Sequence, residues 1–184
     1  GIGSSAMRYL YGIENVAIGR YSMGSAGSTD ANYNVAVGNW ALGSATTGDE
    51  NTIVGYNSAY YLTTGSQNAT LGAEAGKSLT SGTQNVLLGA YSGRNVTTGT
   101  GNITAGYYSA EGVQTGSNNV AIGIAALQYS TAATSQNIAL GSNALLRTTG
   151  DSNVAIGHTA FQELTSGARN IAIGKAAGTA LWGT

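Results

Sequence analysis

Asn119-Val120-Ala121-Ile122-Gly123 stands near the middle of the chain, and the same Asn-apolar-x-apolar-Gly phrase returns along its whole length. Its asparagine falls at Asn15, Asn34, Asn51, Asn68, Asn85, Asn102, Asn119, Asn137, Asn153 and Asn170, with successive spacings of 19, 17, 17, 17, 17, 17, 18, 16 and 17. Counting back from Gly19 to Gly3 adds a truncated first copy, so one repeat domain occupies residues 1–184 with no room for a second. A fixed period of this size marks a supersecondary unit that cannot bury its apolar face alone and stacks on its own copies.

Numbered from its asparagine, each repeat resolves into columns. The second column runs from Val16 and Val35 to Val154 and Ile171, and the fourth from Ile18 and Val37 to Ile156 and Ile173; both are apolar and largely β-branched. Positions two apart share one face of a strand. The residue between them points the other way and is small: Ala17, Ala36, Ala121, Ala139, Ala155 and Ala172, against Ile53, Thr70, Leu87 and Thr104. A face in water would carry polar residues, so the expectation is that the alanine column packs against another subunit.

The fifth column is glycine in every copy: Gly19, Gly38, Gly55, Gly72, Gly89, Gly106, Gly123, Gly141, Gly157 and Gly174. A second glycine follows ten residues later at Gly48, Gly65, Gly82, Gly99, Gly116 and Gly167, mostly after paired hydroxyls such as Thr46-Thr47 and Thr63-Thr64. Both columns suit bends where backbone approaches backbone. The eighth column holds only alanine or serine, the mark of a tight inside corner, and the twelfth is apolar at Leu62, Leu79, Val96, Val113, Leu164 and Leu181.

Two short strands and two glycine bends in about 17 residues describe one coil of an all-β parallel solenoid, each strand pairing with its copy at about 4.8 Å. Some eleven coils then give a rod on the order of 50 Å long. Superposed asparagines can hydrogen-bond one above another, so the asparagine column is expected to be a structural ladder.

The phrases Asn15-Val-Ala-Ile-Gly, Asn119-Val-Ala-Ile-Gly, Asn153-Val-Ala-Ile-Gly and Asn170-Ile-Ala-Ile-Gly, with Ala or Ser three residues after each glycine, resemble the head repeats of YadA-like trimeric autotransporter adhesins. Similar repeats occur in phage tail fibres and in fibres of predatory bacteria. The resemblance covers essentially the whole chain, although the best-known heads use a shorter period than 17. It implies a left-handed β-roll, three chains side by side as a homotrimer, an extracellular, cell-surface or virion-fibre location, and attachment to host surfaces.

Composition excludes several classes. Lys and Arg number 7 against 8 Asp and Glu, so there is no basic field for nucleic acid. No cysteine means no disulfide, thiolate nucleophile or cysteine metal site. No run approaches the roughly 20 apolar residues of a membrane span, so direct membrane insertion by this segment is not expected. Gly1 opens the chain without a signal peptide, which gives the expectation of a processed or excised piece.

Neither an active site nor a cofactor is expected. His158, the sole histidine, sits after Gly157 where other copies carry Arg20, Asn39, Tyr56 or Lys175, a variable surface position. Asp49-Glu50 is weighed as a calcium site and read as a solvated turn, because calcium needs six or more oxygen ligands. No metal site is expected.

The variable columns hold most of the aromatics: Trp40, Tyr56, Tyr60, Tyr61, Tyr91, Tyr107 and Tyr108 are the candidate binding residues. Such rings offer rigid amphipathic area to proteins and apolar faces to sugars. The reading is an adhesive or receptor-binding head, with a glycan or protein receptor. A structural filament or spacer stacking end to end is the alternative. An ice-binding solenoid is the minor one, disfavoured because the threonines form adjacent pairs rather than i, i+2 pairs on one face.

Overall fold

The computed structural model describes residues 1–9, 11–24 and 30–178. Its strands are β1 (Val16–Ile18), β2 (Val35–Val37), β3 (Thr52–Val54), β4 (Ala69–Leu71), β5 (Val86–Leu88), β6 (Ile103–Ala105), β7 (Val120–Ile122), β8 (Ile138–Leu140), β9 (Val154–Ile156) and β10 (Ile171–Ile173). They form one sheet in chain order, parallel throughout, and each strand pairs column on column with the next. An isolated parallel bridge from Ile2 to Ile18 marks the truncated first copy. The molecule is therefore a parallel β-solenoid with about one strand spacing, 4.8 Å, per coil.

The strand is short because the glycine of the fifth column ends it. At Gly72 φ is +143°, a conformation that L side chains rarely adopt, and a Cβ there would lie 2.5 Å from both the carbonyl carbon and oxygen of Gly89 in the next coil. The Gly72 N–H donates back to the Val54 carbonyl at 2.9 Å, so the bend itself carries the stacking ladder.

The second strand expected around the twelfth column does not form among the described residues; that stretch is a succession of turns. Left-handed residues close it off on either side, and within it three successive amides turn onto one carbonyl: the N–H groups of Thr63, Thr64 and Gly65 all donate to Thr80 O, at 2.9, 3.1 and 3.3 Å, where paired strands would exchange bonds one to one. The seventh and ninth positions of the coil, and the residue before each asparagine, are left-handed, as at Tyr91 (φ 59°), Ala59 (φ 44°) and Gln67 (φ 60°). Extended backbone cannot contain such residues. Each costs about 1 kcal/mol or more in an L residue, and the neighbouring coils hold them there: Tyr91 N–H donates to Ala73 O at 2.9 Å, Ala59 N–H to Ala75 O at 2.9 Å, and Gln67 N–H to Asp49 O at 3.0 Å.

Which strand face lies inside is the main departure from the sequence reading. The middle residues, Ala17, Ala36, Ile53, Thr70, Leu87, Thr104, Ala121, Ala139, Ala155 and Ala172, are buried within the solenoid, and the second and fourth columns point outward. The alanine column is thus the inner wall of the coil and no subunit contact. A coil of 17 residues encloses little space and admits one middle residue per strand; Leu87 fits because neither Gly76 nor Gly93 sets a Cβ against it.

The interior fills by size exchange. Where the ninth position is small, the twelfth is large: Ala59 with Leu62, Gly76 with Leu79, Gly93 with Val96, Ala110 with Val113. Where the ninth is large, the twelfth shrinks, as in Leu42 with Ala45, Leu127 with Ser130 and Leu145 with Thr148, except that Phe161 and Leu164 are both large and buried, Phe161 lying in the space Gly178 leaves one coil on. Leu181, assigned to the twelfth column, lies outside the described residues. When threonine enters the inner wall, serine of the eighth column meets it, as Ser58 Oγ does Thr70 Oγ1 at 2.6 Å. Leu127→Ala should cost about 3 kcal/mol through the cavity it leaves. The double change Leu127→Ala/Ser130→Leu should recover about half of that, as a denaturant titration of both variants would read.

The asparagines line another inner corner. Asn85 donates its backbone N–H and Nδ2 to Asn68 Oδ1, both at 3.0 Å, and a second Nδ2 hydrogen to Gly99 O at 2.9 Å. Its own Oδ1 accepts the same pair from Asn102, again at 3.0 Å. The pattern repeats from Asn15 to Asn170. One side chain per coil thereby satisfies buried backbone that no strand pairing reaches.

Candidate functional site

Register carries side chains of the same column onto one another, one coil apart, and this gathers the aromatics. Tyr21 and Trp40, both in the seventh column, stack with ring centroids 4.2 Å apart at 14°. Tyr60, in the tenth column, meets Trp40 edge-on at 5.6 Å and Tyr61 edge-on at 4.6 Å. Gly43 leaves the space that the Tyr60 ring takes: a Cβ at Gly43 would fall 2.8 Å from the ring's Cε2. Trp40, Tyr60 and Tyr61, together with Tyr56, Asn57 and Lys77, line an open cleft of about 240 Å³. Of the candidate residues, Trp40, Tyr56, Tyr60 and Tyr61 are brought together here.

Tyr91, Tyr107 and Tyr108 form a second group two coils on. Tyr91 stacks on Tyr108 at 4.8 Å, and Tyr107 stands edge-on to both, at 5.8 and 4.3 Å. The neighbouring Tyr107 hydroxyl, through a hydrogen bond, holds the Tyr108 phenol above its ordinary value of 10.0, with desolvation adding to it. The Tyr108 phenol therefore stays uncharged at neutral pH.

Charges join the two groups. Lys77 and Arg94 occupy the tenth column directly after Tyr60, and Glu74 the seventh after Asn57. Arg94 Nη2 lies 2.8 Å from Glu74 Oε2 and Lys77 Nζ 3.4 Å from the same oxygen. That oxygen is buried and lacks an aligned hydrogen bond, so charge alone holds it. Arg94 also lies over the Tyr91 ring at 5.4 Å, Arg20 over Tyr21 at 4.8 Å and Arg147 over Tyr129 at 5.6 Å. Reading the chain by motif missed Lys77, Arg94 and Glu74; their shared columns with Tyr60 and Trp40 are the signal that would have found them.

The remaining polar candidates have structural employment. Asp49 Oδ1 accepts the Asn32 backbone N–H at 2.7 Å, and Glu50 Oε2 accepts Gln67 Nε2 at 3.0 Å. Among the described residues no three His, Asp or Glu side chains gather as metal ligands, and His158 is exposed. The paired hydroxyls are half used: Thr46, Thr63 and Thr80 each donate Oγ1–H to the carbonyl one coil on, at 3.0, 3.1 and 3.2 Å. In the pairs Thr46-Thr47, Thr63-Thr64 and Thr97-Thr98 the second member is the exposed one.

The sheet's outer surface is a further feature. Its second and fourth columns carry no charge from β1 to β10, and Thr52 is their one hydroxyl. Leu71 is 54% exposed, and Ile103 and Ile122 are each 44% exposed. The strip measures roughly 45 Å along the rod and 7 Å between its two columns.

Compared with known proteins, the chain matches no family model, no curated sequence and no solved structure.

Proposed function

We propose that this chain is a non-enzymatic adhesive or receptor-binding head of a trimeric bacterial surface or phage-type fibre, displayed outside the cell, that contacts host glycans or surface proteins multivalently. The observation that carries the reading is the aromatic cleft formed by Trp40, Tyr56, Tyr60 and Tyr61 on a scaffold whose every coil is locked to the next. Rings held in place by stacking and by the backbone at Gly43 lose little freedom on binding, which is what a recognition surface needs. The likeness of the pentapeptide phrases to adhesin head repeats supports the same reading.

The outer strand strip supports side-by-side assembly. A continuous uncharged strip, mostly Val, Ile and Leu and about 300 Å² between its two columns, reaches the size of the largest patches that soluble monomers expose, which are often functional, and three such strips meeting around an axis would remove it from water. Weak contacts made by each chain would then add by avidity.

Light scattering over a range of concentrations tests the assembly, and a glycan and matrix-protein array tests the adhesion. A stable mass near three times 18.4 kDa is expected, with Leu71→Lys/Ile122→Lys dissociating it while circular dichroism stays unchanged. A discrete monomer would overturn the trimer, and an array without a single saturable signal would overturn the adhesive role. Parallel register unbroken from β1 to β10 supports a second reading, a structural filament or spacer that stacks end to end. Open-ended growth of mass with concentration would put that reading first.

A further inference from the structure

We infer that the cleft between Trp40 and Lys77 takes a single carboxylate-bearing sugar residue, an inference that rests on the adhesive reading above. Its walls supply both halves of that chemistry. Trp40, Tyr56, Tyr60 and Tyr61 offer ring faces and edges for the apolar side of a pyranose, while the phenol hydroxyls and the Asn57 amide offer donors and acceptors for its hydroxyl groups. The volume of about 240 Å³ falls below the ~300 Å³ at which pockets for drug-sized ligands begin, so it holds one ring with its substituents and leaves the rest of an oligosaccharide outside.

The charge at the cleft decides between neutral and acidic sugars. None of the lining residues is a carboxylate, and Lys77 is the one cation among them. Glu74, the nearest acid to Lys77, sits closer to Arg94, at 2.8 Å against 3.4 Å. Two cations thus share one carboxylate, and the group carries a net charge of +1. Arg94 compensates Glu74 and is turned toward Tyr91, so the uncompensated charge faces the cleft through Lys77. An incoming carboxylate completes the pairing at a site already partly shielded from water, where a charge-assisted hydrogen bond is stronger than at an open surface.

The test uses the full chain with Trp182→Phe, which leaves Trp40 as the sole tryptophan. Its fluorescence is followed while the methyl glycosides of N-acetylneuraminic acid, glucuronic acid and glucose are added in turn, with tetraglutamate as an acidic peptide probe. Saturable quenching by at least one acidic glycoside, roughly tenfold tighter than by the glucoside, is expected. Lys77→Met should abolish that preference and leave residual binding, whereas Tyr60→Ala should abolish binding of every sugar, both with unchanged circular dichroism. Equal affinity for acidic and neutral sugars, or indifference to Lys77→Met, would overturn the inference and leave the adhesive reading standing. Quenching by tetraglutamate alone would overturn it in favour of a protein ligand. If no probe quenches, the inference fails, and the glycan and matrix-protein array then decides separately whether the adhesive reading fails with it.

Discussion

Asn85→Ala is expected to lower the free energy of unfolding by about 4 kcal/mol, although it removes only an amide. The substitution takes away the acceptor of two bonds from Asn102 and the donor to Gly99 O, and so leaves a backbone N–H, an amide hydrogen and a carbonyl buried without partners. Each orphaned group costs on the order of 1–3 kcal/mol, far more than the net value of the bonds themselves. The same change at Asn15, where the ladder starts in a half-buried position, should cost less than half as much. Urea titration of the two variants checks the contrast. Because a solenoid is coupled mainly through neighbouring coils, the central variant should also show a reduced m value as the two halves of the rod uncouple.

Asn85→Asp sharpens the point by keeping the shape. The aspartate would keep an acceptor for Asn102 and would set its second oxygen against Asn68 Oδ1 and Gly99 O. Burial and those facing oxygens raise the carboxyl pKa in the folded state above its unfolded value. The folded state of this variant therefore binds a proton the more readily, so its stability is fullest at acid pH and is lost as pH rises through the folded pKa. The parent chain should lack this dependence at that position, since asparagine does not titrate.

Gly72→Ala is expected to be at least as damaging, at roughly 4–5 kcal/mol, for a steric reason. The added Cβ would sit 2.5 Å from the backbone of Gly89, and the atoms it meets belong to the strand-ending bend of the next coil, which has its own hydrogen bonds to keep. No side chain can swing aside to relieve it. The φ of +143° adds strain that alanine bears wherever it is placed in that region. A thermal melt of the variant should show either a fall in Tm of well over 10 °C or two separate transitions.

The repeat, the parallel stacking, the glycine bends and the small inside corner were all legible in one sequence because each is a column property. A stack superposes equal positions, so anything intolerable at a position, such as a Cβ against a carbonyl, is excluded from every copy at once. The asparagine ladder was legible for the same reason. The count of strands per coil was not, since left-handed residues such as Ala59, Gln67 and Tyr91 carry no common side-chain signature and are fixed by hydrogen bonds from neighbouring coils. Chemistry-bearing residues were half legible: Trp40, Tyr56, Tyr60 and Tyr61 drew attention as aromatics, but Lys77, Glu74 and Arg94 join them only through the offset of one or two coils.

By itself, then, the sequence determined a stacked parallel solenoid, its period and the residues at its bends. The facing of the strand was decided by tertiary structure alone. Val120-Ala121-Ile122 is apolar on both faces, and a three-residue strand offers no alternation of polar and apolar residues by which to choose. Closure of the coil makes the choice: Leu127 and its counterparts of the ninth and twelfth columns occupy the narrow interior, and one middle residue per coil fits in the space they leave, Leu87 being admitted where Gly76 and Gly93 carry no Cβ. The two flanking apolar residues are turned to the outside.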